Sequence, residues 1–471
     1  MKLHGKSYVT AISLTAGLGG FLFGFDTAVI SGAVNFLRVQ FHLDAISEGW
    51  LMSSALAGCV AGAAVSGYLA DKFGRKKILL SSAILFIISA LACVVATTPS
   101  FLVIARIIGG IGVGFAAMVA PMFISELSPA KMRGRLVSLY QLAITLGILV
   151  SYLTNAALLQ YAGSNALNAD SFMHFYMVQE VWRAMLGSNI IPAILFFILL
   201  LFVPESPRWL VKENKTDAAK TVLERINGDE SGTTELNHIQ KAIVQEKGSF
   251  RQLLEPGMRV ALIIGIVLPL LTQFTGITTV MYYAPAIFEK AGLGTNSAMG
   301  GAALIGFFNM FFTIVAIWKI DKWGRKPLLV WGFIGLSIAL FLIGILFGNA
   351  LANTSLLVIA FVFYIAVFAA TLGPGVWVVL SEIYPTRIRG RAMSVGTLSL
   401  FLGSTFVTQT YPWLRESAGI GFTFMMYALV MLPAAFFVKK MVPETNGKTL
   451  EEIERHWKKK EKEKVVTLVP V

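Results

Sequence analysis

The chain has 471 residues, of which 56% are hydrophobic and only 14% charged, against about 25% charged in an ordinary soluble protein. That balance, with a mean hydropathy of +0.72, excludes a soluble enzyme and points to an all-α integral membrane protein. The formal charge of +13 would indicate nucleic acid in a soluble chain; here it reads as lysines and arginines in the loops of one membrane face, and no nucleic-acid partner is expected.

Twelve apolar stretches follow one another, near 8–32, 47–70, 78–97, 101–127, 135–159, 183–203, 258–288, 297–320, 327–348, 355–383, 391–415 and 420–442. Each approaches the ~20 residues a helix needs to cross a hydrocarbon core. The opening "MKLHGK" and the long run behind it, which contains Asp26, read as a first membrane helix rather than a cleaved signal. Cys59 and Cys93 fall inside apolar runs and read as packing residues, not a disulfide. Thr98-Pro99 reads as loop punctuation. "GGIGVG" at 109–114 imitates a nucleotide-binding loop, yet it lies inside a span with no strand before it. Gly110 and Gly114 instead have the small-xxx-small spacing of close helix packing.

The polar stretch 204–256 separates six spans from six. It carries two amphipathic patterns, one of Ala219, Val222, Leu223 and Ile226, the other of Ile239, Ile243 and Val244. In the tail, Thr449 precedes Glu452 by three residues, a capping-box spacing. The expected organisation is an N-terminal six-helix half (1–203), linker helices (204–256), a C-terminal six-helix half (257–442) and a tail (443–471). Arg75, Lys76, Lys77, Lys131, Arg133, Arg325, Lys326, Arg387, Arg389 and Lys458 to Lys460 all fall on one side of such a bundle. The opposite loops at 97–100 and 349–354 hold neither lysine nor arginine, so the charged side and both termini are expected in the cytoplasm. There is no Walker A pattern and no Cys/His cluster of metal spacing, so ATP drive, a metal, another cofactor and enzyme chemistry are not expected.

Two motifs occur twice. "SELSPAKMRGR" at 125–135 returns as "SEIYPTRIRGR" at 381–391, with an offset of 256 between Glu126 and Glu382. "DKFGRKK" from Asp71 returns as "DKWGRKP" from Asp321, an offset of 250. Both copies of each fall on the same membrane face, which defines a parallel repeat of two halves about an axis along the membrane normal.

With "FGFDTAVISG", "RIIGGIGVG", "PESPRWL", "TQFTGITTVMYYAP", "GPGVWVVLSEIYPTRIRGR" and "PETNGKTLEEIE" added to these repeats, the chain resembles the sugar porter family of the major facilitator superfamily over essentially its whole length. The resemblance implies the twelve-helix major facilitator fold, alternating access, a monosaccharide substrate (pentose or hexose) and H⁺ as co-substrate. Short loops and a short tail lean towards the bacterial inner membrane, and a monomer is expected.

Asp26 sits deep in the first span, and a charge there costs about 2.5–3.5 kcal/mol on insertion scales. Counted along the spans, Asp26 and Arg106 lie at similar depth and can meet. Burial raises the aspartate pKa and the guanidinium lowers it, which fits either a proton switch or a static ion pair. An aspartate stands at the position of Asp26 in proton-coupled relatives and a neutral residue in facilitative ones, so the resemblance implies symport. A facilitative uniporter is the nearest alternative, a drug or metabolite exporter and a non-transporting membrane sugar sensor more distant ones.

For the sugar, the resemblance implies Gln141, Gln273 and Trp377, with Asn309 and Phe23 beside them; a buried amide in a bundle can equally be interhelical glue. The chain departs from the family at Thr272 and Thr278, where glutamine and asparagine are common, and at Leu400-Phe401, where a polar residue and tryptophan are usual. Ile148 matches an aliphatic position of hexose-type relatives. A cytoplasmic gate is expected from Glu126 with Arg133 and Glu382 with Arg389, joined by Arg75, Arg325, Asp71, Asp321 and Glu205; solvated positive charge accounts for part of that set.

Overall fold

The computed structural model describes residues 5–129, 132–164, 174–245, 250–348, 354–384, 388–448, 452–453 and 457. Its first six long helices are α1 (Gly5–Gln40), α2 (Ala45–Phe73), α3 (Arg75–Val95), α4 (Pro99–Leu127), α5 (Arg133–Gly163) and α6 (Val181–Leu201). Three short helices follow, α7 (Pro207–Lys212), α8 (Thr216–Asn227) and α9 (Asp229–Gln245). The rest comprises α10 (Pro256–Gln273), α11 (Ile277–Lys290), α12 (Thr295–Trp323), α13 (Arg325–Gly348), α14 (Thr354–Glu382), α15 (Arg389–Ala418) and α16 (Ile420–Met441). α10 and α11 are two parts of one crossing, which gives the twelve-helix major facilitator fold.

Eleven of these crossings are long and apolar enough to span a bilayer by composition. The other, α15, is a continuous helix of 30 residues; its charged ends and its serines and threonines lower its hydropathy. Helix starts follow local chemistry. Asp44 caps α2 by accepting the Ser47 N–H at 2.8 Å. Thr98 caps α4, with Pro99 at the first helical position, so the pair read as loop punctuation is a helix-start signal.

Close approach depends on glycine at the α2–α4 contact. A Cβ on Gly110 would lie 1.9 Å from the Ala55 carbonyl oxygen, and one on Gly114 2.6 Å from that of Cys59. The "GGIGVG" run is therefore a packing seam. Cys59 and Cys93 are buried free thiols.

By internal packing the chain forms two compact units. One comprises Met1–Glu246, Thr279–Met310 and Thr408–Pro412; the other Lys247–Thr278, Phe311–Val407 and Trp413–Val471. In the first unit, α11, the early part of α12 and one turn of α15 pack on α1, α2 and α5. The Tyr152 hydroxyl donates to the Met281 carbonyl at 2.6 Å, Ser53 to the Gln409 amide oxygen at 2.8 Å, and Asn35 to the Glu289 carboxylate. Tyr283 packs against Tyr411 as a tilted ring pair, with centroids 4.8 Å apart.

In the linker, Trp209, Leu210, Ala219, Leu223, Leu236 and Ile239 form a small core of their own, with Val222 packed against it. Ile226 is buried as well. The side chains of Ile243 and Val244 lie outside the described residues, as do Thr449, Lys131, Arg387 and Lys458 to Lys460.

Candidate functional site

Two kinds of buried charge stand out in the first unit. Asp26 on α1 faces Arg106 on α4, with Nη1 and Nη2 each 3.4 Å from one carboxylate oxygen. Asp26 is 7% and Arg106 2% exposed. Among the described residues the Arg106 Nε–H has no hydrogen-bond partner. Charge-assisted hydrogen bonds normally close to about 2.7–2.9 Å, so this pair is buried but loosely held. α1 runs eight residues beyond the span ending at 32, which puts Asp26 nearer the helix middle than the span count implies.

The second arrangement is tight. Arg75, first residue of α3, donates from Nε and Nη2 to the two oxygens of Glu126 at 3.0 and 3.1 Å. Asp71 lies 3.2 Å from Arg75 Nη2. Glu205 accepts the backbone N–H groups of Arg75 and Lys76 at 3.0 and 3.1 Å, and Ser206 donates its hydroxyl to Glu126. Gly74 makes this possible: at φ 99° it turns the chain between α2 and α3, and a Cβ there would meet the Glu205 carboxylate at 2.3 Å.

The second unit repeats the construction. Arg325 donates from Nε and Nη2 to Glu382 at 3.2 and 3.1 Å, and from Nη1 to the Asn446 side chain at 2.7 Å. Glu444 accepts the N–H groups of Arg325 and Lys326 at 3.0 and 3.1 Å, and Thr445 donates its hydroxyl to Glu382 at 2.5 Å. Gly324 supplies the turn at φ 77°. Trp209 and Trp457 each tie a flanking segment down through the indole N–H, to the carbonyls of Asp71 and Ile383.

Glu444, Thr445, Asn446 and Ser206 escaped the sequence reading. The signal was present: Pro204-Glu205-Ser206 and Pro443-Glu444-Thr445 are a third repeated element. The twin carboxylates differ electrostatically. Burial pushes Glu205 above the ordinary glutamate range, against the opposing N–H groups of Ser206, Lys76 and Arg75 and the Arg75 charge. Burial acts upward on Glu444 as well, but the N–H groups of Asn446, Arg325, Lys326 and Thr445 outweigh it and hold the carboxyl below that range.

Arg133 does not pair with Glu126. Its Nε–H donates to the Ser125 carbonyl at 3.1 Å and the side chain is exposed, because Arg75 and Ser206 already occupy the Glu126 carboxylate. The side chains of Asp321 and Arg389 lie outside the described residues.

The sugar-site candidates divide between the units. The first carries Phe23, Gln141, Ile148 and Asn309, with Ile148 and Asn309 both 6% exposed. The second carries Thr272, Gln273, Thr278, Trp377 and Phe401. Gln273 Oε1 accepts hydroxyls from Thr278 and Ser404, both at 2.8 Å. With its carbonyl so engaged, the amide presents its N–H groups as donors. The Thr272 hydroxyl is taken by its own helix, donating to the Leu268 carbonyl at 2.8 Å. Ser404, four residues past Leu400, is a supporting residue that no sequence motif marked.

Helix count, parallel repeat and buried intramembrane charge together define a secondary transporter of the major facilitator fold rather than an enzyme. The family model described as "Sugar (and other) transporter" matches residues 12–457, and the chain belongs to that family. It is 40% identical over 455 residues to the arabinose-proton symporter of Bacillus subtilis (strain 168), with 96% of each chain covered. It is 39% identical over 486 residues to the D-xylose-proton symporter of Escherichia coli (strain K12), again with 96% of each covered. The inward open structure of the xylose transporter XylE from E. coli superimposes with a TM-score of 0.80 at 36% identity, covering 95% of this chain and all of that one.

Proposed function

We infer that the protein imports a monosaccharide, a pentose or a hexose, together with H⁺ by alternating access. The observation that carries this is the Asp26–Arg106 pair, buried yet held only at 3.4 Å. In this reading the Asp26 carboxylate carries the proton. Ionised, it retains Arg106; protonated, it loses the charge and releases the arginine. Binding of H⁺ therefore alters how α1 and α4 are held, and a transporter that couples this change to sugar occupancy moves both solutes together.

In this reading Gln141 and Gln273 hydrogen-bond the sugar hydroxyls and Trp377 covers a ring face, with Asn309, Thr272, Thr278, Phe23, Ile148 and Phe401 completing the lining. The moving bodies are the six-helix halves, 1–203 and 257–442, joined by the 204–256 linker. The Arg75–Glu126 and Arg325–Glu382 knots hold the helix ends of each half together on the cytoplasmic face, with Arg133, Arg389, Asp71 and Asp321 available to re-pair as the face opens and closes. Both termini are assigned to the cytoplasm, the protein to the bacterial inner membrane, and the working unit to a monomer. The names of the symporter relatives support both the sugar class and the proton.

The test is uptake of labelled pentoses and hexoses into proteoliposomes, with and without an inward proton gradient. Accumulation of a sugar only with the gradient is expected. Equilibration without accumulation would make the protein a uniporter and Asp26 a structural residue.

A further inference from the structure

A groove of about 500 Å³ opens on the surface of the second unit between α13 and α16. Val330, Trp331 and Ile334 line it from α13 and Phe436 from α16. Exposed apolar side chains are ordinary on a membrane helix, and acyl tails satisfy them. The head of the groove is not ordinary. Lys326 and Lys439 stand there, where α13 begins and α16 ends. Among the described residues no carboxylate lines the groove, and neither ammonium has an ion-pair or hydrogen-bond partner.

The repeat makes the contrast sharp. Lys76 is the counterpart of Lys326, and its ammonium is consumed: Nζ donates to the Leu201 carbonyl at 2.8 Å, at the end of α6. The next residue is Lys77 in the first copy and Pro327 in the second. The second copy has thus lost one lysine and left the other facing an apolar channel. Eight residues separate Lys326 from Ile334, about 12 Å along a helix, which is most of the roughly 15 Å hydrocarbon depth of one leaflet. Trp331, 69% exposed, sits just below the charged end, where amphipathic rings favour the headgroup region.

We propose that this groove binds one anionic phospholipid, its phosphate between Lys326 and Lys439 and an acyl chain along Trp331 and Phe436. Two ammoniums and no carboxylate select against a zwitterionic headgroup, whose own cation would be repelled. The apolar channel selects against a free anion. Lys440, whose ammonium lies 5.9 Å from the Phe436 ring centre, adds to the positive field.

The test is native mass spectrometry of the full-length protein with phosphatidylglycerol and phosphatidylcholine of matched chains. Phosphatidylglycerol should be retained over phosphatidylcholine by roughly tenfold or more, in line with the attraction of two surface lysines for anionic lipid. K326Q/K439Q should erase the preference and K77Q should keep it. Equal retention of the two lipids, or a preference that survives K326Q/K439Q, overturns the proposal, as does displacement of the lipid by inorganic phosphate alone. Should the double variant not fold, brominated phosphatidylglycerol must quench the wild-type fluorescence that Trp331→Phe removes more strongly than brominated phosphatidylcholine does; equal quenching overturns it too. Both readouts measure lipid, so they stand whatever the uptake assay gives.

Discussion

Arg75 meets Glu126 as a two-pronged fork, at 3.0 and 3.1 Å, with the side chains 8% and 9% exposed. Its repeat-mate, Arg325 with Glu382, has the same fork, but Glu382 is 27% exposed. Removing one partner of a buried pair strands the other charge and costs about 3–5 kcal/mol, whereas wetter pairs cost far less. Arg75→Ala is therefore expected to lower the thermal midpoint in detergent clearly more than Arg325→Ala. Equal losses would mean that solvent reaches both knots alike.

Asp26→Asn keeps the side-chain volume and removes the carboxylate charge. It is expected to abolish proton-driven accumulation in proteoliposomes while sugar counterflow persists. Continued uphill accumulation by this variant would falsify the proton role.

Gln273 is aimed by the hydroxyls of Thr278 and Ser404, both 2.8 Å from its carbonyl oxygen. A neutral hydrogen bond contributes about 1 kcal/mol, and 1.4 kcal/mol is tenfold in affinity. Ser404→Ala is thus expected to weaken sugar affinity roughly fivefold, read as a raised uptake KM with the maximal rate little changed. Gln273→Ala should weaken it further. An unchanged KM in Ser404→Ala would show that the amide is oriented without it.

The twin glutamates predict opposite pH trends. Glu205, held above its ordinary value, contributes stability that is complete below the reference value of 4.5 and is lost as pH rises through its raised value. Glu444, held below its ordinary value, contributes stability present above 4.5 and lost as pH falls through its lowered value. Relative to wild type, Glu205→Gln should therefore gain stability as pH rises above about 4.5, and Glu444→Gln should lose it as pH rises towards about 4.5 from below. Midpoints measured across that range, variant against wild type, give both slopes; slopes of one sign would refute the difference.

The crossings were legible because hydrocarbon admits only long apolar helices with internally satisfied backbones, so α1 to α6 and α10 to α16 stand out as apolar runs in the sequence. The repeat was legible because duplicated function kept "DK(F/W)GRK" and "SE…RGR" recognisable. Asp26 announced itself as a charge in an apolar run, and the depth count brought Arg106 opposite it. Partner choice was another matter. Sequence spacing offered Glu126 to Arg133, eight residues from its neighbour Ser125, yet Arg75 from another loop holds it. A fork and a hydroxyl fill one carboxylate, and chain proximity has no say once helices α3, α4 and α7 converge. The same holds for Ser404 on Gln273 and for the idle Lys326 beside its busy counterpart Lys76. Twelve crossings, a two-fold repeat and one charged face could be read from the residues alone, since they depend on composition and period along the chain. Which charges pair, and how tightly, came from the packed helices, because pairing is set by distances between them that no local pattern encodes.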